Sequence, residues 1–157
     1  MLPQCPIVRN GHLYNGSMKS ADRPSRKSQT RHSSTGKTCH HFDYHRMTCD
    51  EYDALRARAR GCCEICGTPE GRTGGKRLVV DHFEGRGIRF VRGLLCDSCN
   101  AVMSCVDGRK RWGANRRWEE KALEYQAASW QQPAPELWGL VATVQAHRRV
   151  LLGQRRR

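Results

Sequence analysis

Two C-x2-C pairs, Cys63-Glu64-Ile65-Cys66 and Cys96-Asp97-Ser98-Cys99, stand 29 residues apart near the middle of this chain. A two-residue spacer lets both thiolates of a pair reach one ion from a tight turn. Two such knuckles complete the tetrahedral sulfur cage that Zn²⁺ favours. One pair alone could be a redox motif, but two flanking a predicted hairpin are better explained by metal. Whatever else the chain does, the segments around Cys63 and Cys96 must then meet.

The rest of the sequence makes such a staple necessary. Leu, Ile, Val and Phe together supply only 26 of 157 residues, while 28 Lys and Arg against 15 Asp and Glu give a net charge of +13. Chains this poor in large apolar residues and this charged stay disordered unless something else stabilises the fold. A structural zinc ion can contribute on the order of 10 kcal/mol. No apolar run approaches the ~20 residues that span a bilayer, and Met1 is followed by Pro3, Cys5 and Pro6, not by an apolar signal stretch. The expectation is a cytoplasmic protein with no membrane contact, whose cysteines in a reducing compartment serve metal and not disulfides. A membrane protein, a secreted disulfide scaffold and an enzyme with a large apolar core are excluded.

Charge divides the chain into three. Residues 1–46 carry eight basic and two acidic residues, residues 47–107 nine of each, and residues 108–157 eleven basic and four acidic. The first segment is read as a basic N-terminal arm, largely disordered through residue 38. The second is the ordered core, and the third a basic helical region for dimerisation or DNA contact. Of the 28 basic residues 22 are Arg, which suits bidentate phosphate contacts. Within the core, Thr48-Cys49-Asp50-Glu51 reads as a capping box, with Tyr52, Leu55 and Ala59 on one helical face and Gly61 placed to end the helix. Strands are expected over 76–82 and 88–95, joined through Phe83 to Gly87. A short helix is expected from Ser98–Asn100, another over 116–130, and a last one from Glu136 to Gly153. On that last helix Leu137, Leu140, Val141, Val144 and Leu151 form an apolar stripe.

Asp81-His82 closes the first predicted strand, and Asn100 directly follows the last cysteine ligand. Cross-linking through zinc brings the end of the hairpin and the start of the next helix together. A carboxylate, an imidazole and an amide then converge. Asp81 and Asn100 can hold a hard cation by oxygen, leaving a neutral His82 to take a proton from water. Oxygen ligands take Mg²⁺ where sulfur takes Zn²⁺, so two different metals are implied. Cys39, His40, His41, His45 and Cys49 could form a second site, but they match no standard knuckle spacing and read first as loose polar residues. Cys62 lacks the two-residue spacer that Cys63 has, and Cys5 and Cys105 read as free thiols. Trp112, Trp118, Trp130 and Trp138 are expected to pack between helices.

The ordered string Cys63-x2-Cys66-x14-Asp81-His82-x13-Cys96-x2-Cys99-Asn100, with Arg92-Gly93-Leu94-Leu95 leading into Cys96 and Thr48 to Leu55 preceding it, resembles the phage recombination endonuclease VII family, a branch of the HNH (ββα-metal, His-Me finger) nucleases. The resemblance covers roughly residues 47–107. It implies a small α+β protein with a zinc-stapled nuclease core, in which Cys63, Cys66, Cys96 and Cys99 hold structural zinc. It also implies that Asp81 and Asn100 bind a catalytic Mg²⁺ or Mn²⁺ and that His82 is the general base, with Glu84 and Arg92 as accessory candidates. The implied reaction is hydrolysis of DNA phosphodiesters, with branched DNA such as Holliday junctions as substrate and a homodimer as the working form. The family often has Asp-His-x-His where this chain has Glu84, a residue that can bind metal but repels phosphate. Two other readings are an HNH enzyme nicking ordinary duplex in phage packaging or homing, and a non-enzymatic zinc-ribbon DNA-binding module. Under the last, Asp81, His82 and Asn100 have no reason to coincide.

Overall fold

The computed structural model describes residues 31–72 and 77–154; Cys5, the rest of 1–30, residues 73–76 and the terminal arginines 155–157 lie outside them. The described chain is a small mixed α/β fold. In order it runs α1 (His41–His45), α2 (Cys49–Ala59), β1 (Val79–Gly85), β2 (Ile88–Leu95), α3 (Asp97–Val106), a 3₁₀ turn (Gly113–Trp118), α4 (Glu119–Ala127) and α5 (Leu137–Gln154).

Helix α2 begins as its sequence dictates. The Thr48 hydroxyl accepts from the Glu51 amide, and the Glu51 carboxylate accepts from the Thr48 amide at 2.7 Å. The helix ends at Arg60, in the left-handed region at φ 51°, one residue before Gly61. Leu55 and Ala59 face the core, and Tyr52 is half-buried.

β1 and β2 form an antiparallel hairpin, the one sheet among the described residues. Gly85 pairs with Ile88 across Arg86 and Gly87, which both have positive φ. This is the mirror-image turn whose twist suits a two-residue hairpin. β1 therefore extends three residues beyond the expected end at His82. Phe83 pairs with Phe90, their rings stacked 5.4 Å apart, and burial of this pair keeps the strand going where glycine-rich sequence suggests a loop. Asp81 and His82 lie mid-strand as a result.

The hairpin has an apolar cluster on each side. Val91, Leu94 and Leu95 join Leu55, Cys63, Cys99, Val102, Met103 and Tyr125 in the larger one, with Trp112, Trp118 and Trp130 packed at its edge. Phe83, Ile88 and Phe90 join Val141 and Val144 in the smaller, with Leu137, Trp138 and Leu140 against it. The stripe on α5 thus turns inward onto its own hairpin, and of its five residues Leu151 stays exposed. The stripe was expected to serve a homodimer, and that argument loses its surface.

The predicted helix over 116–130 is interrupted at both ends. It opens as the 3₁₀ turn, and α4 stops at Ala127 because the next residues bond to β2. The Trp130 and Gln131 amides donate to the carbonyls of Arg92 and Val91 at 2.8 and 2.9 Å, and the Val91 amide donates to Gln131 Oε1 at 2.8 Å. Residues 31–38, which composition alone places in the arm, form a turn closed by the Arg31–Thr38 bridge. No helix among the described residues is long and apolar enough to cross a membrane.

Candidate functional site

The two knuckles meet. Sγ atoms of Cys63, Cys66, Cys96 and Cys99 all lie within 4.8 Å of one another. A tetrahedron of ~2.3 Å Zn–S bonds has edges of about 3.8 Å, and Cys66 and Cys96 are 3.8 Å apart. Their ionisation also calls for a cation. The hydrogen bond with Cys99 brings the Cys63 thiol down to about 5, and the same contact, with burial, drives Cys99 up. Four thiols this close cannot all become thiolates unless a positive ion lies among them. The cluster can hold a metal such as zinc.

Glu64, inside the first knuckle, fixes that knuckle to the hairpin. Its Oε1 accepts from the Leu94 amide at 2.7 Å and its Oε2 pairs with Arg58 at 2.7 Å. Burial still pushes its carboxyl up, against the pull of Arg58. Gly93 passes directly under this group. A Cβ there would stand 2.5 Å from Glu64 Oε1 and 2.8 Å from the Tyr125 hydroxyl.

The hairpin, α3 and the residues just after it line a polar pocket of about 140 Å³, formed by Val80, Asp81, His82, Arg92, Asn100, Ser104, Asp107 and Arg109. The sequence-predicted trio Asp81, His82 and Asn100 is therefore brought together, with Arg92 among them. A bulge in the hairpin aims these side chains. Asp81 pairs with Gly93 and His82 with Val91, so Arg92 has no partner across the sheet. Bulges of this kind re-aim side chains and occur beside active sites. Arg92, 1% exposed, turns inward, and its Nε and Nη2 donate to the two oxygens of Asp81 at 2.7 and 2.8 Å. Its Nη1 and Nη2 donate to Asp107 at 2.8 and 3.1 Å. One guanidinium thus offsets one of two buried carboxylate charges.

His82 is half-buried, and desolvation, then Arg89, lower its pKa against the opposing pull of Asp81 and Glu84. The imidazole is neutral at pH 7. Glu84 is exposed, its Oε2 3.7 Å from His82 Nε2, and so sits over the histidine and outside the pocket lining. The His45 ring meets His82 edge-on at 5.3 Å. Burial, followed by His82, lowers the His45 pKa to about 4.

Sequence reasoning missed Asp107, and it grouped His45 with Cys39, His40, His41 and Cys49, not with His82. Asp107 carries a usable signal: Asn100, Ser104 and Asp107 recur at i, i+4 and i+7 along α3, one face of a helix. His45 carries none, since its partner lies 37 residues away across the fold. Cys105 is buried and donates to the Arg111 carbonyl at 3.3 Å.

The donor set suits a hard cation. Asp81 and Asp107 oxygens keep lone pairs beyond those used by Arg92, and the Asn100 side chain makes no hydrogen bond among the described residues. A second, larger depression of about 480 Å³ is lined by Lys110, Arg111, Arg116 and Arg149 around Trp112.

Residues 37–127 match the model of the family described as recombination endonuclease VII. Over 54 residues the chain is 46% identical to the gene 59 protein of Mycobacterium phage D29. That stretch is 34% of this chain and spans only 30% of the relative's length. No solved structure matches the chain.

Proposed function

Because this chain belongs to the recombination endonuclease VII family, we propose that it is a DNA endonuclease of HNH type that hydrolyses phosphodiester bonds in branched DNA with a divalent metal. The single observation that carries this reading is the convergence of Asp81, His82 and Asn100 in one polar pocket beside the cysteine cluster. In it, His82 takes the proton of the attacking water, a role suited to an imidazole held neutral by its surroundings. Asp81 and Asn100 supply the oxygen ligands for Mg²⁺ or Mn²⁺, and Asp107 stands ready as a third. When bound there, such an ion stabilises negative charge growing on the phosphate and the leaving oxygen. Arg92 holds Asp81 in register and keeps two buried carboxylates from repelling each other. Zinc on Cys63, Cys66, Cys96 and Cys99 sets the hairpin against α3. The basic depression around Trp112 and the basic residues of the N-terminal arm supply phosphate contacts, while residues 47–107 carry the chemistry, with His45 packed against His82 from outside that span.

Paired cuts in a junction need two such sites, hence a homodimer. A second reading, a monomer nicking ordinary duplex, draws on the apolar stripe of α5 being folded onto its own hairpin. One assay separates them: four-way junction, flap and plain duplex DNA, each with and without Mg²⁺. Paired, Mg²⁺-dependent cuts in the junction support resolution, single cuts in all three substrates support nicking, and no cuts at all sink both.

A further inference from the structure

The segment before α2 buries polar side chains with little apolar cover. His32 and His41 are 7% and 6% exposed and Cys49 is 2% exposed, and ligand atoms of all three lie within 4.8 Å of one another. Nε2 of His41 stands 3.3 Å from Cys49 Sγ. The partly exposed Cys39 thiol lies outside that group of three but is in side-chain hydrogen-bond contact with Cys49, which puts a fourth ligand-type group next to it. Residues 31–48 offer Met47 as their one buried aliphatic side chain.

We infer that His32, Cys39, His41 and Cys49 form a second zinc site, separate from the four-cysteine cluster. Two sulfurs and two imidazole nitrogens are a common tetrahedral set for Zn²⁺. The surroundings resemble those of ligands already oriented. The Ser33 amide points at Cys49 Sγ at 3.3 Å. His41 stacks on Tyr52 with ring centroids 4.8 Å apart and planes 4° off parallel. Nδ1 of His32 has the Ser34 hydroxyl at 3.0 Å and Nε2 has Asp53 Oδ1 at 3.3 Å. The ion takes one of these nitrogens, and the remaining contact holds the ring, as outer partners of metal-bound histidines do.

The placement matters for the pocket described above. His41 opens α1, and His45, which closes it, meets the ring of His82. An ion at this site would tie the 31–38 turn, α1 and the first residue of α2 together, and fix His45 against His82. The inference does not depend on nuclease activity.

The test is metal content and ligand type in the full-length, zinc-purified chain. Elemental analysis should give two zinc ions per chain, one for each group, and His41→Ala should lower this to one while Cys63, Cys66, Cys96 and Cys99 keep theirs. Should His41→Ala fail to fold, zinc-edge X-ray absorption of the wild-type chain decides without any variant. A shell averaging about three sulfurs to one nitrogen, as one all-sulfur and one mixed site require, supports the second site. One zinc per chain in an all-sulfur shell overturns it.

Discussion

Arg92 grips both carboxylate oxygens of Asp81, at 2.7 and 2.8 Å, from the one β2 position that the bulge leaves without a partner across the hairpin. The same guanidinium holds Asp107. Replacing it with Met leaves two buried carboxylates facing each other, and breaking a buried pair in this way costs about 3–5 kcal/mol. Urea unfolding of the zinc-loaded Arg92→Met chain should show that loss. Arg92→Lys should recover little of it, because an ammonium cannot bridge both acids with a planar fork. Wild-type stability in Arg92→Met would mean that the two acids are not held as described.

His82→Ala should reduce cleavage about 10²–10⁴-fold, the usual contribution of a general base, with zinc content unchanged. The pH profile adds a directional check. The base must be deprotonated to act, and its pKa is lowered from 6.5. The acidic limb of the rate should therefore fall below pH 6.5, with the rate flat from there through neutrality. A limb above pH 7 would place the base on another group.

His45 predicts a pH-dependent stability. Its pKa is about 4 in the folded chain against 6.5 unfolded. At pH 7 both states leave it neutral and it contributes no pH dependence. As pH falls from 6.5 to 4 the unfolded chain binds a proton that the folded chain refuses, so stability drops across that window. His45→Gln should flatten this part of the curve in denaturant titrations at a series of pH values. An unchanged slope would show that the ring is more hydrated than its packing against His82 suggests.

Gly93→Ala should cost about 1–3 kcal/mol, the range for forcing a methyl group into filled space. Here the new Cβ meets Glu64, Tyr125 and Arg58 within 3 Å. Glu64 can yield only by giving up the Leu94 amide. Thermal unfolding measures the loss, and a variant as stable as the wild type would mean that the first knuckle is free to shift.

Binding to DNA should weaken steeply with salt, each neutralised phosphate adding a slope of about −0.9 in log K against log salt. Residues 1–30 hold five of the 28 basic side chains. Removing them should flatten the slope and leave zinc content intact. The deletion ends at residue 30 because His32 is part of the buried His–Cys group. An unchanged slope would put the phosphate contacts elsewhere, with the basic depression around Trp112 the first place to look.

What could be read from sequence was what is local. The capping box at Thr48 and Glu51 involves four consecutive residues, and each cysteine knuckle spans four, so spacing alone identifies them. That Asp81, His82 and Asn100 come together was legible because two knuckles force their neighbours together. Arg92 was legible as a residue of interest but not as the partner of Asp81 and Asp107, since a bulge that turns one side chain inward leaves no mark in the pattern. His32 was hidden for a different reason. It lies in a stretch whose composition resembles a disordered arm, and only burial against Cys49 and Tyr52 reveals it. The end of β1 was misplaced because glycines at 85 and 87 suggest a long connection, whereas Phe83 stacking on Phe90 extends the pairing to the turn.

The hairpin is a wall shared by two unequal rooms, and this sets where the molecule can open. The room on the α5 side holds five buried residues, Phe83, Ile88, Phe90, Val141 and Val144, and has no cysteine in it. Arg148 on the same helix donates to the Glu84 carbonyl at 2.6 Å, two residues from His82. Regions with few buried contacts detach at lower free energy than the global core. Amide hydrogens of α5 should therefore exchange before those of α2 and α3, with the Phe83–Phe90 face following them. The turn that carries Glu84 gains its freedom when α5 lifts, so the turn end of the hairpin breathes with the carboxyl-terminal helix while its other end stays locked at the cysteines.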